Sequence, residues 1–182
     1  MVSVDRDYII KRTIVGLFIC FLAVFASYFW LFFNPIIIHK PYVQNVFSLS
    51  SNNLYNPIDT IDFTQGENKV ILYTNRECLQ FLPERMKGWT LLQCTNNKII
   101  EKVKNNFVFE RVSKDIVETT DFDSRIFFFK NNMLVFSGKM EVDESISLHF
   151  KNTGWTFATN YDELINSFSK FKPIYFPIIK ID

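Results

Sequence analysis

An α/β domain carried behind one membrane-spanning helix is the fold class this sequence predicts, and three observations predict it. Residues 13–39 carry no formal charge, a run that at about 1.5 Å per helical residue outspans the roughly 30 Å of bilayer hydrocarbon. Beyond it, short apolar strand-like runs alternate with amphipathic helical stretches. Late in the chain, Lys130-Asn131-Asn132 separates two apolar runs in the manner of a tight hairpin. The expected order is a single transmembrane helix, then β-α-β-α-β-β-α with a strand-rich insertion.

The apolar segment, taken as 13–38, opens TIVGLFICFLAVFASYFWLFF, which hides its amides in helical hydrogen bonds as hydrocarbon demands. Tyr28 and Trp30 stand toward its far end, where amphipathic rings favour the headgroup layer. Arg6, Lys11 and Arg12 precede the segment and only Lys40 follows it closely, so the positive-inside rule places residues 1–12 in the cytoplasm and exports the rest. This implies a single-pass signal-anchor in a cell inner (plasma) membrane, with a periplasmic or extracellular domain. The alternative is a cleaved secretory signal ending near Val24-Phe25-Ala26; the apolar run continues past that point through Phe33, which favours the anchor.

Behind the anchor remain about 140 residues, enough for one core. Twenty basic and 19 acidic residues leave a net charge of +1, which excludes the field expected of a nucleic-acid binder. Phe is abundant at 21 residues, and most of those beyond the anchor are expected in core or sheet, with a small apolar ligand as the minority reading. Cys20 lies in the apolar segment, leaving Cys78 and Cys94 as the exported pair. An oxidising compartment makes a bridge between them plausible, worth about 3 kcal/mol in the chain-entropy model, and two buried free thiols are the equal alternative.

Residues 39–66, with Pro41, Pro57, Gly66 and the polar cluster 48–53, are expected to form a linker and lead-in to a domain spanning 67–172. Val70-Ile71-Leu72-Tyr73 is the first strand candidate. Residues 78–87 have helical character interrupted by Pro83 and stopped by Gly88, and 89–94 is a second strand. Residues 97–106 place Ile99, Ile100 and Val103 on one side and Lys98, Glu101, Lys102 and Lys104 on the other, an amphipathic helix. Residues 107–112 alternate as a half-buried strand, with 114–119 as its extension. Residues 126–129 and 133–136 pair as the hairpin, 139–158 is strand-rich, and 161–171 is a last helix capped by Asn160 or Asp162. Pro173 and Pro177 suggest an irregular tail over 173–182.

At the first strand–helix junction the chain resembles the thioredoxin-like fold superfamily. Val70-Ile71-Leu72-Tyr73-Thr74 looks like its central strand, Asn75-Arg76-Glu77-Cys78 stands where the family carries Cys-x-x-Cys, and Pro83 lies where its helix-kinking proline falls. The hairpin 126–138 resembles its last two strands, so the likeness covers about 69–138 plus the final helix. Its implications are a parallel first pair of strands, Cys78 and Cys94 at neighbouring strand ends where a bridge is reasonable, and Ser124 near the position of the family's cis-proline. Asn75 replaces the attacking cysteine, and dithiol exchange needs both sulfurs. The resemblance therefore implies a degenerate member, not an ordinary oxidoreductase, acting by protein binding.

No cofactor or metal site is expected. His39 and His149 stand apart from any cysteine cluster, and Glu141, Asp143 and Glu144 lack the oxygen-rich loop and central glycine of an EF-hand, so they are expected in a solvated turn. Asp121 and Asp123 read as loop acids. Three functions follow: binding of an envelope protein partner through the 75–78 turn or the outer face of 139–158; an accessory subunit of a membrane signalling receptor with an aromatic-lined β-rich ligand site over 107–158; and residual thiol chemistry at Cys78, favoured by a helix N-terminus and opposed by Glu77.

Overall fold

A computed structural model describes residues 6–39, 54–111, 124–150, 154–176 and 178–181. The first element, α1 (Arg6–Phe33), contains a stretch, Tyr8–Phe33, long and apolar enough to cross a membrane. Its side chains point outward along most of its length. The helix stops at Phe33 and not at 38, because Pro35 has no N–H to continue the ladder and the isoleucines after it are β-branched. They form strand β1 (Ile36–His39).

Two further strands, β2 (Leu54–Tyr55) and β3 (Asn68–Tyr73), enter the main sheet. A 3-10 helix (Arg76–Phe81) leads to β4 (Leu91–Cys94), then α2 (Asn97–Asn106) and β5 (Phe109–Arg111). Four long strands follow: β6 (Ser124–Lys130), β7 (Met133–Val142), β8 (Ile146–Phe150) and β9 (Gly154–Ala158). The chain closes with α3 (Tyr161–Phe168), β10 (Lys172–Pro173) and β11 (Ile178–Ile181).

Nine strands make one sheet in the order β10-β4-β3-β6-β7-β8-β9-β5-β2, each neighbouring pair antiparallel. The expected parallel pairing of the first two strands is corrected: β3 and β4 run antiparallel, Tyr73 opposite Leu91 and Val70 opposite Cys94. The cause lies in the connection. Pro83 forces Leu82 into an extended conformation (φ −80, ψ 156), so the helical stretch ends after two 3-10 turns and the chain re-enters the sheet at the end it left.

One face of the sheet carries the main core, in which α2 contributes Ile100 and Val103 and α3 contributes Leu164 and Phe168. Asn96 caps α2, its side chain accepting from the N–H groups of Lys98 and Ile99. The other face buries Ile71, Leu91, Phe127 and Phe129 beneath Ile37, Ile174 and Ile179. Those covering residues come largely from a separate two-stranded ribbon, β1 parallel to β11. The tail expected to be irregular therefore contains strands among its described residues, since β10 pairs with β4 in the main sheet and β11 pairs with β1 just after α1. Residues 58 and 63, expected in the lead-in, likewise belong to the main core, where Ile58 and Phe63 are fully buried.

The β6–β7 hairpin turns on Asn131 and Asn132, both with positive φ (49 and 62), the conformation an asparagine tolerates better than most residues. Asn131 is further fixed by its N–H to the Glu67 carbonyl (2.7 Å). The strand expected over 107–112 runs from Phe109 to Arg111, and 114–119, Pro41 and the 48–53 cluster lie outside the described residues. The last helix ends at Phe168, with Phe171 still buried after it.

The interior between the sheet and the helices is filled by rings. Phe107 meets Phe109, Phe128 and Phe136 at centroid distances of 4.7, 5.3 and 5.9 Å, and Phe63 meets Phe128 at 5.8 Å. The Phe107 contacts are edge-to-face and the Phe63–Phe128 contact is tilted, the arrangements aromatic pairs favour.

Candidate functional site

The structure brings Asn75, Cys78 and Ser124 into one buried joint. Ser124 opens β6, and its Oγ accepts a hydrogen bond from the Asn75 backbone N–H at 2.8 Å while donating to Cys78 Sγ at 3.7 Å. The Asn75 side chain is occupied as the cap of the 3-10 helix, Oδ1 accepting from the Glu77 N–H at 3.0 Å. Its carbonyl receives the Cys78 N–H, also at 3.0 Å. Thus Asn75 holds a turn closed with its side chain, its N–H and its carbonyl.

Cys78 is fully buried. Burial pushes its thiol pKa up, Ser124 and the backbone at Val142 pull it down, and the charges of Glu141 and Asp143 raise it further. The net shift is upward, opposite to what a nucleophilic cysteine needs. Of the remaining junction residues, Glu77 is exposed in the first 3-10 turn, and the Arg76 guanidinium lies 5.5 Å from the centroid of the Phe33 ring at the end of α1.

The expected bridge between Cys78 and Cys94 is absent: both are free and buried. Antiparallel pairing is the reason. Cys94 sits opposite Val70, three strand residues from Tyr73 and hence about 10 Å along β3 from the end at which Cys78 lies, beyond the roughly 7 Å Cα limit of a disulfide. Burial also raises the Cys94 thiol pKa, against smaller opposing contributions from the Asn96 backbone and Lys172.

Of the acidic group, Asp143 and Glu144 lie in the β7–β8 turn. Asp143 Oδ1 accepts from the Ser145 N–H (2.8 Å) and hydroxyl (3.1 Å), and the Asp143 carbonyl takes the Tyr161 hydroxyl at 3.0 Å. Burial first, and then Asp143, Asp162 and Glu144, raise the Tyr161 pKa. Glu141 is not part of a solvated turn as expected; at 1% exposure it is buried on the face of β7 away from the main core, beside Ser147 of β8. Among the described residues no group of three or more His, Cys, Asp or Glu could hold a metal ion. His149 packs edge-on to Trp155 at 5.1 Å across β8 and β9, and Asp121 and Asp123 lie outside the described residues.

A second cluster, invisible to sequence patterns, ties this joint to the end of α1. The Thr74 N–H donates to the Thr90 carbonyl (2.8 Å), and the Thr90 hydroxyl donates to the Phe32 carbonyl (2.9 Å). Phe32 meets Trp89 edge-on at 5.2 Å. The contacting residues are far apart in the chain, so no local period could have revealed them.

Ser124→Ala removes the acceptor from the Asn75 N–H and is expected to cost about 1–3 kcal/mol, the penalty of a buried unsatisfied donor. Urea unfolding of the full chain in detergent micelles measures it, with Ser145→Ala in the β7–β8 turn as the milder comparison.

Comparison with protein-family models, with curated proteins and with solved structures finds no match to this chain. The reading of function therefore rests on the geometry itself.

Proposed function

We propose that this chain is a single-pass, membrane-anchored envelope protein whose C-terminal α/β domain acts by binding a protein partner and not by turnover. The observation that carries the reading is the Asn75–Cys78–Ser124 joint. Its asparagine is committed to capping, its sulfur is buried as a thiol, and its serine bonds to both, so none of these three side chains is presented as a nucleophile. Arg6, Lys11 and Arg12, in the first turns of α1 ahead of its uncharged run, favour a cytoplasmic N-terminus and an exported domain in an inner membrane.

The thioredoxin-like ancestry suggested by the Asn75-Arg76-Glu77-Cys78 segment is not required for this role, and the antiparallel β3–β4 pair departs from that family's parallel one. The contact surfaces we assign are the exposed 76–77 turn and the outer face of β9, apart from the stretch where Glu141 of β7 and Ser147 of β8 are buried. There Trp155 and Phe157, both half-buried, offer the aromatic area that anchors protein interfaces.

The experiment places a photo-reactive residue at Glu77 or at Trp155 in the full chain in its native membrane. A discrete crosslinked species from either position, absent when the reporter stands at Met133, is expected. Only diffuse or no adducts from both positions would defeat the proposal.

A further inference from the structure

We infer that the C-terminal segment around Tyr175 and Phe176, with the outer side of the β1–β11 ribbon, is a second membrane contact that seats the domain directly on the lipid surface. This rests on the reading of α1 as a membrane span.

The argument begins with depth. The Tyr28 hydroxyl donates to the Tyr175 carbonyl at 2.6 Å, and Tyr28 lies five residues, or about 7–8 Å of helix rise, before the end of α1 at Phe33. A backbone group bonded to that side chain stands level with the last turns of the span, where Tyr and Trp partition into the headgroup layer. The bond also supplies a partner to a carbonyl that would otherwise be stranded in a poorly hydrated zone. Trp89 packs edge-on to Tyr175 at 5.2 Å and to Phe32 at the same distance, so the segment is fixed to the helix by rings as well.

Exposure then defines the surface. Tyr175 is 63% and Phe176 64% exposed, although the domain has an apolar interior available to it. On the ribbon, Ile37 and Ile179 turn inward against the sheet, whereas Ile36 and Ile178, paired in register, are exposed on the other side. This apolar strip is continuous with the helix end that a bilayer would already surround. Lipid is therefore the occupant that needs no additional partner: the same bilayer that takes α1 reaches the strip. The consequence is an oriented domain, held close to the membrane by both ends of its chain, in place of one swinging on a linker.

Site-directed spin labelling tests this in the full chain carrying Cys20→Ser, with Cys78 and Cys94 shielded by burial, reconstituted into phosphatidylcholine–phosphatidylglycerol vesicles. Labels are placed singly through Phe18→Cys in the span, Phe176→Cys in the strip and Met133→Cys at the exposed β6–β7 turn. The ratio of collisions with oxygen to collisions with a water-soluble nickel chelate is expected to be several-fold higher at 176 than at 133 and to approach that at 18. A ratio at 176 equal to that at 133, with 18 still lipid-like, would overturn the inference while leaving the anchor intact. A water-like ratio at 18 would remove the anchor reading and this inference together.

Discussion

Phe128→Ala is expected to lower the unfolding free energy of the domain by about 3–5 kcal/mol, a large part of the 5–15 kcal/mol typical of a domain. The residue is fully buried on β6, an interior strand flanked by β3 and β7. Its ring contacts Phe63, Phe107 and Phe136, three side chains drawn from the lead-in, the end of α2 and β7. Truncation removes the contact at which these segments meet, and rings already held by other neighbours cannot collapse fully into the space. Denaturant unfolding followed by Trp fluorescence measures the loss. Met133→Ala, at a 68% exposed turn position, is the control and should lie within about 0.5 kcal/mol of the unaltered chain.

The second large effect concerns α1. Phe21→Arg and Phe25→Arg together place two charges near the middle of the apolar stretch, each costing about 3 kcal/mol on insertion scales. Both positions are exposed on the helix, so within the protein no buried contact is lost and the penalty falls on the bilayer. The doubly substituted chain is expected to leave the pellet of alkali-washed membranes, whereas the unaltered chain stays. Retention of both to the same extent would argue that something other than the helix holds the protein to lipid.

Elements with a local chemical signal were legible in the sequence. The Asn131-Asn132 turn announces itself because two consecutive positive φ values suit few other residues, and α2 does so because its apolar period and its Asn96 cap lie within one short window. Strand orientation was not legible in this way. The resemblance at 70–78 implied a parallel first pair of strands, and the uninterrupted apolar run Val70-Ile71-Leu72-Tyr73 carried nothing to oppose it. That apolar character comes instead from an antiparallel sheet with both faces covered at that end, α2 and α3 on one and the β1–β11 ribbon on the other. That ribbon joins Ile36 to Ile178 across nearly the whole chain, a pairing that no neighbouring residue signals.

The candidate site divides along the same line. The likeness at 75–78 singled out Asn75, Cys78 and Ser124, and the structure places these three together. The anticipated Cys78–Cys94 bridge depended on strand direction, the property that local pattern carries least well, and the antiparallel register separates the two sulfurs. Glu141 was read from its acidic neighbours as solvated. Its place in the alternation of β7, beside buried Ser147, was the better guide.

That Cys78 belongs to a structural joint and not to a reactive centre is tested most directly by its alkylation rate as a function of pH, measured by mass spectrometry on the full chain in vesicles. Burial lifts its thiol above the ordinary value of 9.0, so the folded protein should label slowly at pH 7 and quickly only after unfolding. The sign carries over to stability. A group whose folded pKa is raised contributes fully below its unfolded value, and that contribution is lost as pH climbs through the folded value, so the domain should weaken in alkali above about pH 9. Rapid labelling of Cys78 at pH 7, with a midpoint below that of a free thiol, would contradict the account and return the residue to chemistry.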